Sequence, residues 1–109
     1  MCFDTQVLGR YLDYLISRQL LWRINVIVSV GVIDSAELAV SLSESRRALI
    51  PATMIERLTT ATDPAAVGAD LCIGALRSII ATPGVSGVHF AAVGGLELIP
   101  EILAEAGII

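Results

Sequence analysis

The run NVIVSVG at residues 25–31 is rich in β-branched side chains and apolar at consecutive rather than alternate positions. An antiparallel strand with one wet face would carry a polar residue at every second place, so the run reads as a parallel strand covered by helices, over Val26–Val30. A second run, GVHFAAVGG at 87–95, is equally apolar and closes on two glycines. Parallel strands cannot be joined by a tight hairpin; each needs a crossover of a dozen residues or more, usually a helix.

The intervening segments have that character. Asp4 is a credible N-cap for a helix over about Thr5 to Arg18, with Val7, Leu8, Tyr11, Leu12 and Leu15 on one face and Tyr11, Tyr14 and Trp22 as packing residues. Asp34 or Ser35 caps a short helix with Leu38 and Leu42 inward and Glu37 and Glu44 outward. Pro51 opens another at its first turn and is harmless there, because the first N–H has no helical partner. Thr62 or Asp63 caps a longer helix with Pro64 in its first turn, an apolar stripe through Ala69, Ile73, Leu76 and Ile80, and a stop before Pro83 and Gly84. ELIPEILAEAG is a last helix, ended by Gly107. With MCF as a first short strand, the order is strand, helix, strand, helices, strand, helix. That order predicts a parallel α/β sheet. Three parallel strands are few for a doubly wound sheet and far short of the eight in a closed barrel, so the spacing suits part of a larger sheet.

Composition narrows the functions. At 109 residues there is room for one modest core. Hydrophobic residues make up 55% against 17% charged, apolar for a small globule. The net charge is −4 and all seven basic residues are arginine, dispersed among acidic ones, so no basic stripe exists for nucleic acid. Cys2 and Cys72 stand in apolar settings without a CxxC partner and read as reduced, buried thiols. The longest apolar run, Ile24 to Ile33, is well short of the roughly 20 residues of a membrane span, so the expectation is a cytoplasmic protein without a membrane partner.

No window supplies a dinucleotide fingerprint or a phosphate-binding loop with lysine. His89 is the only histidine, which excludes a histidine metal cluster and suggests a packed, hydrogen-bonded core residue. Gly94 and Gly95 sit where α/β folds place ligand loops, at the carboxyl end of a strand, although a structural turn is the favoured reading over a ligand contact. Asp4, at the end of the first strand, is the carboxylate best placed for function, although capping already accounts for it.

Read together, MCFD, VIVSVGVIDSAEL, LIPATMIERL and GVSGVHFAAVGGLELIPEILAEAGI resemble the methylenetetrahydrofolate reductase family. In that family a strand carrying Thr-Gln-x-x-Phe-Asp leads into a helix, a later Ile-Pro begins a short helix, and a Gly-Val-x-Gly-x-His-Phe strand starts the final unit. The resemblance spans essentially the whole chain. It implies a partial (β/α)8 TIM barrel, with residues 1–109 as the C-terminal three βα units (units 6 to 8) and Met1 as the interior of a strand.

The resemblance also implies a flavoprotein activity in the intact family: reduction of 5,10-methylenetetrahydrofolate to 5-methyltetrahydrofolate, with hydride passing from NAD(P)H through FAD. The catalytic glutamate and FAD-binding residues of the family fall outside this chain, so none is expected to be catalytic or to bind a cofactor alone. Phe3 and Asp4 match the end of the Thr-Gln-x-x-Phe-Asp motif, whose glutamine would fall just before Met1. Leu38 and Leu42 fall where the family can place a glutamine and an aromatic against folate, Gly95 falls where it can place an arginine, and Val93 is a neighbouring apolar position, so these are departures from the family's pattern. Three strands of a barrel would expose two sheet edges and an inner apolar face, so self-association or pairing with the missing barrel half is expected. A rival reading of the same residues is a small α/β interaction module that dimerises or completes a barrel with another chain.

Overall fold

The computed structural model describes residues 1–19, 25–91 and 93–108. Val26–Val30 (β1) and Val85–Phe90 (β2) pair in parallel, with Val28 opposite Val88, Ser29 opposite His89 and Val30 opposite Phe90. The β1 boundaries are those read from its β-branched run, and the parallel pairing follows from its helical crossover.

The third strand is reduced. Residues 1–3 lie between β1 and a returning segment: Cys2 N–H donates to the Ser29 carbonyl at 3.0 Å, Phe3 N–H to the Leu49 carbonyl at 2.9 Å, and Leu49 N–H to the Met1 carbonyl at 2.9 Å. Among the described residues only the single parallel bridge Cys2↔Leu49 forms there, so the regular sheet has two strands rather than the expected three. The cause is local, because Asp4 starts a helix immediately after Phe3. The expected free edge beside residues 1–3 is occupied by the chain's own Leu49.

Among the described residues five helices accompany this sheet. Thr5–Ser17 (α1), Ala36–Glu44 (α2), Ala52–Thr60 (α3), Pro64–Ala81 (α4) and Ile99–Glu105 (α5) follow the sequence expectations closely, with a 3-10 turn at Leu96–Leu98 ahead of α5. Pro51 stands one residue before α3, in extended conformation, not inside its first turn. Trp22, Arg23 and Ile24 lie outside the described residues, as does Ala92 of the second apolar run.

Two clusters hold the fold together. In the larger, Leu8, Leu12 and Leu15 of α1 meet Val28 and Val30 of β1, Cys72, Leu76 and Ile79 of α4, and Ile102 of α5. The smaller joins Ile33, Ala39, Leu42, Ala48, Met54 and Leu58 at the far ends of the strands, where α2 and α3 lean on Val67 and Leu71 of α4. A fully buried Leu or Ile contributes about 1.5–3 kcal/mol relative to exposure, so α4, which serves both clusters, is the central strut.

The buried stripe of α4 is Gly68, Cys72, Leu76 and Ile79, turned by about one residue from the expected one; Ile80 faces outward. Gly68 sets the rotation. A methyl there would run into the backbone carbonyl of Ile33, so only glycine lets α4 sit down on the end of β1. With 18 residues and a mean hydropathy of 1.4, α4 is also long and apolar enough to cross a membrane by length and composition, although charged and small residues interrupt its apolar run. In this structure four of its 18 residues, Gly68, Cys72, Leu76 and Ile79, are buried, and the rest of the helix is partly or fully exposed.

The helices of the larger cluster lie on one side of the sheet only. Val28 and Val30 point into them, while Ile27, between Val26 and Val28 and pointing the other way, is 63% exposed. Among the described residues, coverage on both faces of β1, read from its continuous hydrophobicity, is therefore not what forms. Tyr11 and Tyr14 are likewise exposed on α1, where the guanidinium of Arg18 stands 5.3 Å from the Tyr14 ring centroid.

Candidate functional site

In parallel α/β sheets ligands bind beyond the carboxyl ends of the strands. Three segments converge there: residues 1–4, residues 31–35 after β1, and the loop after β2. Asp4 Oδ1 accepts the N–H groups of Gln6 and Val7, both at 3.1 Å, and so caps α1. Ser35 Oγ accepts Leu38 N–H at 3.1 Å and caps α2, leaving its neighbour Asp34 free of that duty. Asp63 caps α4 through Ala66 N–H at 3.3 Å.

Asp34 is the unexpected member. Half-buried, it extends from the end of β1 toward the loop after β2, and its two carboxylate oxygens would stand 3.2 and 3.3 Å from a Cβ placed on Gly94. Next to it, Gly95 has φ +55, and a Cβ there would come within 2.7 Å of Val32 Cγ1. The two glycines thus close a tight turn over Val32 and Asp34, which is a packing role. Gly31 completes the junction, because a Cβ placed on it would stand within 3.0 Å of Ala91 O, the Met1 Sδ and Val93 Cγ2.

The residues matched to the family's folate positions divide into two groups. Phe3, Leu38 and Val93 are half-buried and gather round the smaller core cluster, and Leu42, 6% exposed, lies inside it. Asp4 and Gly95 stand apart, one as a helix cap and the other in the turn over Val32. Phe3 also helps line a cleft of about 380 Å³ with Thr5, Arg57, Asp70 and Ser78, between the start of α1 and the α3–α4 pair.

The open face of the sheet carries the other polar pair. Ser29 Oγ and His89 Nδ1 are 3.0 Å apart across the β1–β2 register, and His89 is exposed. The single histidine is thus hydrogen-bonded but not in the core. The signal for its placement was the period of two: with Val88 and Phe90 packed against the larger cluster, His89 must face the opposite side.

Burial pushes the Cys72 thiol up to about 11, so it stays protonated and inert at neutral pH. Cys2, half-buried, gives its thiol hydrogen to the Asp4 carbonyl at 3.2 Å. Among the described residues no group of three or more His, Cys, Asp or Glu side chains is placed to hold a metal ion.

Comparison with known protein families, curated proteins and solved structures returns no match. Chemistry must therefore be read from the residues themselves. A diphosphate needs unfilled N–H groups or cations at a helix start. Here the side chains of Asp4, Ser35 and Asp63 already take amides at three helix starts, and Asp34 adds a carboxylate beside the loop after β2. These strand ends do not fit the diphosphate of a flavin or nicotinamide cofactor.

Proposed function

We propose that this cytoplasmic chain is a barrel segment of the methylenetetrahydrofolate reductase type, a partial (β/α)8 unit that contributes wall and no catalytic group. In this reading folate reduction, FAD and NAD(P)H belong to the assembled barrel, and the isolated chain is inactive. One observation carries the reading. The helices that cover the parallel sheet pack on one face, and the opposite face leaves Ile27 63% and Leu49 49% exposed beside the Ser29–His89 pair. A doubly wound sheet covers both faces, whereas a barrel wall is helical outside and meets other strands' side chains inside.

The deciding experiment is co-expression with the first five βα units of a methylenetetrahydrofolate reductase. Co-purification with bound flavin and NADH oxidation with a folate acceptor support the reading. Separate elution of the two chains overturns it. Flavin absorbance in the chain purified alone overturns its inertness.

The Cys2↔Leu49 bridge favours a second reading, because Leu49 occupies the edge where a preceding barrel strand would pair. On that reading the chain is an interaction module whose open face binds another protein without forming a barrel. A monodisperse complex or dimer with cooperative unfolding and no redox activity supports it.

A further inference from the structure

We propose that the cleft between the start of α1 and the α3–α4 pair is a binding site for a small zwitterion, an α-amino acid with an apolar side chain. The proposal goes beyond the barrel reading, because none of the residues lining the cleft belongs to the open face of the sheet.

The gap originates in α4. Asp70, Gly74 and Ser78 stand at four-residue steps and form one row along the helix, each about one turn, roughly 5.4 Å, from the next. The middle of that row has no side chain. Glycine inside a helix is destabilising relative to alanine, and at Gly68 the close approach to Ile33 explains why it is tolerated. Packing gives no such reason at Gly74, where the backbone is helical and a Cβ would meet nothing within 4 Å. What the missing side chain leaves is space. With the facing surfaces of α3 and α1 it encloses about 380 Å³, near the lower end of the roughly 300–1,000 Å³ of small-molecule sites.

The walls sort by chemistry. Phe3, Met54 and Leu71, all buried or half-buried, give the cleft an apolar floor. Above that floor stand two exposed charges of opposite sign, Arg57 on the α3 wall and Asp70 on the α4 wall. A mostly apolar pocket with a few polar groups that fix orientation is the usual form of a small-molecule site.

The pair of charges selects the ligand. A carboxylate takes two parallel N–H bonds from the planar guanidinium of Arg57, an ammonium group donates to the Asp70 carboxylate, and the hydrocarbon lies over Gly74 on the apolar floor. A ligand with a single charge is attracted by one wall and repelled by the other. Direct closure of Arg57 on Asp70 competes weakly, because an ion pair between exposed side chains contributes little.

The test is equilibrium dialysis of the full chain against radiolabelled L-leucine. Binding should saturate below about 1 mM. N-acetyl-L-leucine, which lacks the ammonium group, and L-leucinamide, which lacks the carboxylate, should each compete roughly tenfold less well than unlabelled leucine. Arg57→Gln and Asp70→Asn should each weaken binding by about fivefold or more. Gly74→Leu fills the gap and should abolish binding with no fall in Tm, which separates a blocked site from an unfolded chain. No saturation up to about 1 mM, equal competition by either singly charged analogue, or undiminished binding by Gly74→Leu or by both charge variants overturns the proposal.

Discussion

Two glycines of α4 allow helix propensity to be separated from packing in one experiment. Gly68 and Gly74 both lie inside the 18-residue helix, so alanine at either gains about 1 kcal/mol of intrinsic helix stability. Their surroundings are opposite. A Cβ on Gly74 meets nothing within 4 Å, and Gly74→Ala should stabilise the protein by about 0.5–1 kcal/mol. A Cβ on Gly68 meets the carbonyl oxygen of Ile33, its carbonyl carbon at 2.9 Å and the Asp34 Cα at 3.3 Å. All three are backbone, so no side chain can rotate away and the helix must lift. Overpacking costs about 1–3 kcal/mol where side chains can adjust; without that freedom Gly68→Ala sits at or beyond the upper end, a net loss of about 2 kcal/mol after the helix gain. The two variants should differ by about 3 kcal/mol, or about 12 °C in Tm for a domain of this size. Thermal and urea unfolding followed by far-UV circular dichroism measures the difference. If Gly68→Ala is as stable as Gly74→Ala, α4 does not seat on the end of β1 and the account of its rotation is wrong.

Asp4→Ala removes the only side chain accepting the Gln6 and Val7 amides and should cost about 1 kcal/mol, whereas Asp4→Asn or Asp4→Ser should recover most of it in urea titrations. In the native protein an Ellman-type reagent near pH 8 should label Cys2 and spare Cys72, and unfolding should release the second thiol. Because the Cys72 pKa is raised in the folded state from 9.0 to about 11, its contribution to stability is intact below pH 9 and declines as pH rises from 9 to 11; a Cys72→Ala variant should lose less stability over that window. Charging the open face with Ile27→Arg and Leu49→Glu should shift sedimentation toward monomer without lowering Tm by more than about 1 kcal/mol equivalent; unchanged association would mean this face is not the sticky one.

Local rules carried most of the fold. Asp4, Ser35 and Asp63 cap the helices their positions suggested, because a cap is a contact between residues two or three apart and is written in the adjacent sequence. The β1 boundaries followed in the same way from β-branched content. What escaped was set by distant neighbours. The stripe of α4 is rotated because Gly68 meets Ile33, 35 positions earlier by numbering. Residues 1–3 pair with Leu49, 47 positions beyond Cys2 and outside both apolar strand runs. The placement of Asp34 against Gly94 needed the parallel register of β1 and β2 before it could be seen. Ile27 misled for the opposite reason: its β-branched side chain suits a strand, and the sequence around it does not say how many layers cover that strand.

The wide separation of every strand partner has a consequence for how this chain comes off the ribosome. Val26 waits for Val85, 59 positions later, and Cys2 waits for Leu49, 47 positions later. At about 5–20 residues per second, β1 emerges roughly 3–12 seconds before β2 exists to pair with it. During that interval the helices α1 to α3 can form from local contacts, and a β-branched segment with its β2 edge bare is held among them. Translation speed across α4, rather than any property of the finished fold, then sets how long that segment is open to chaperones or to a neighbouring nascent chain.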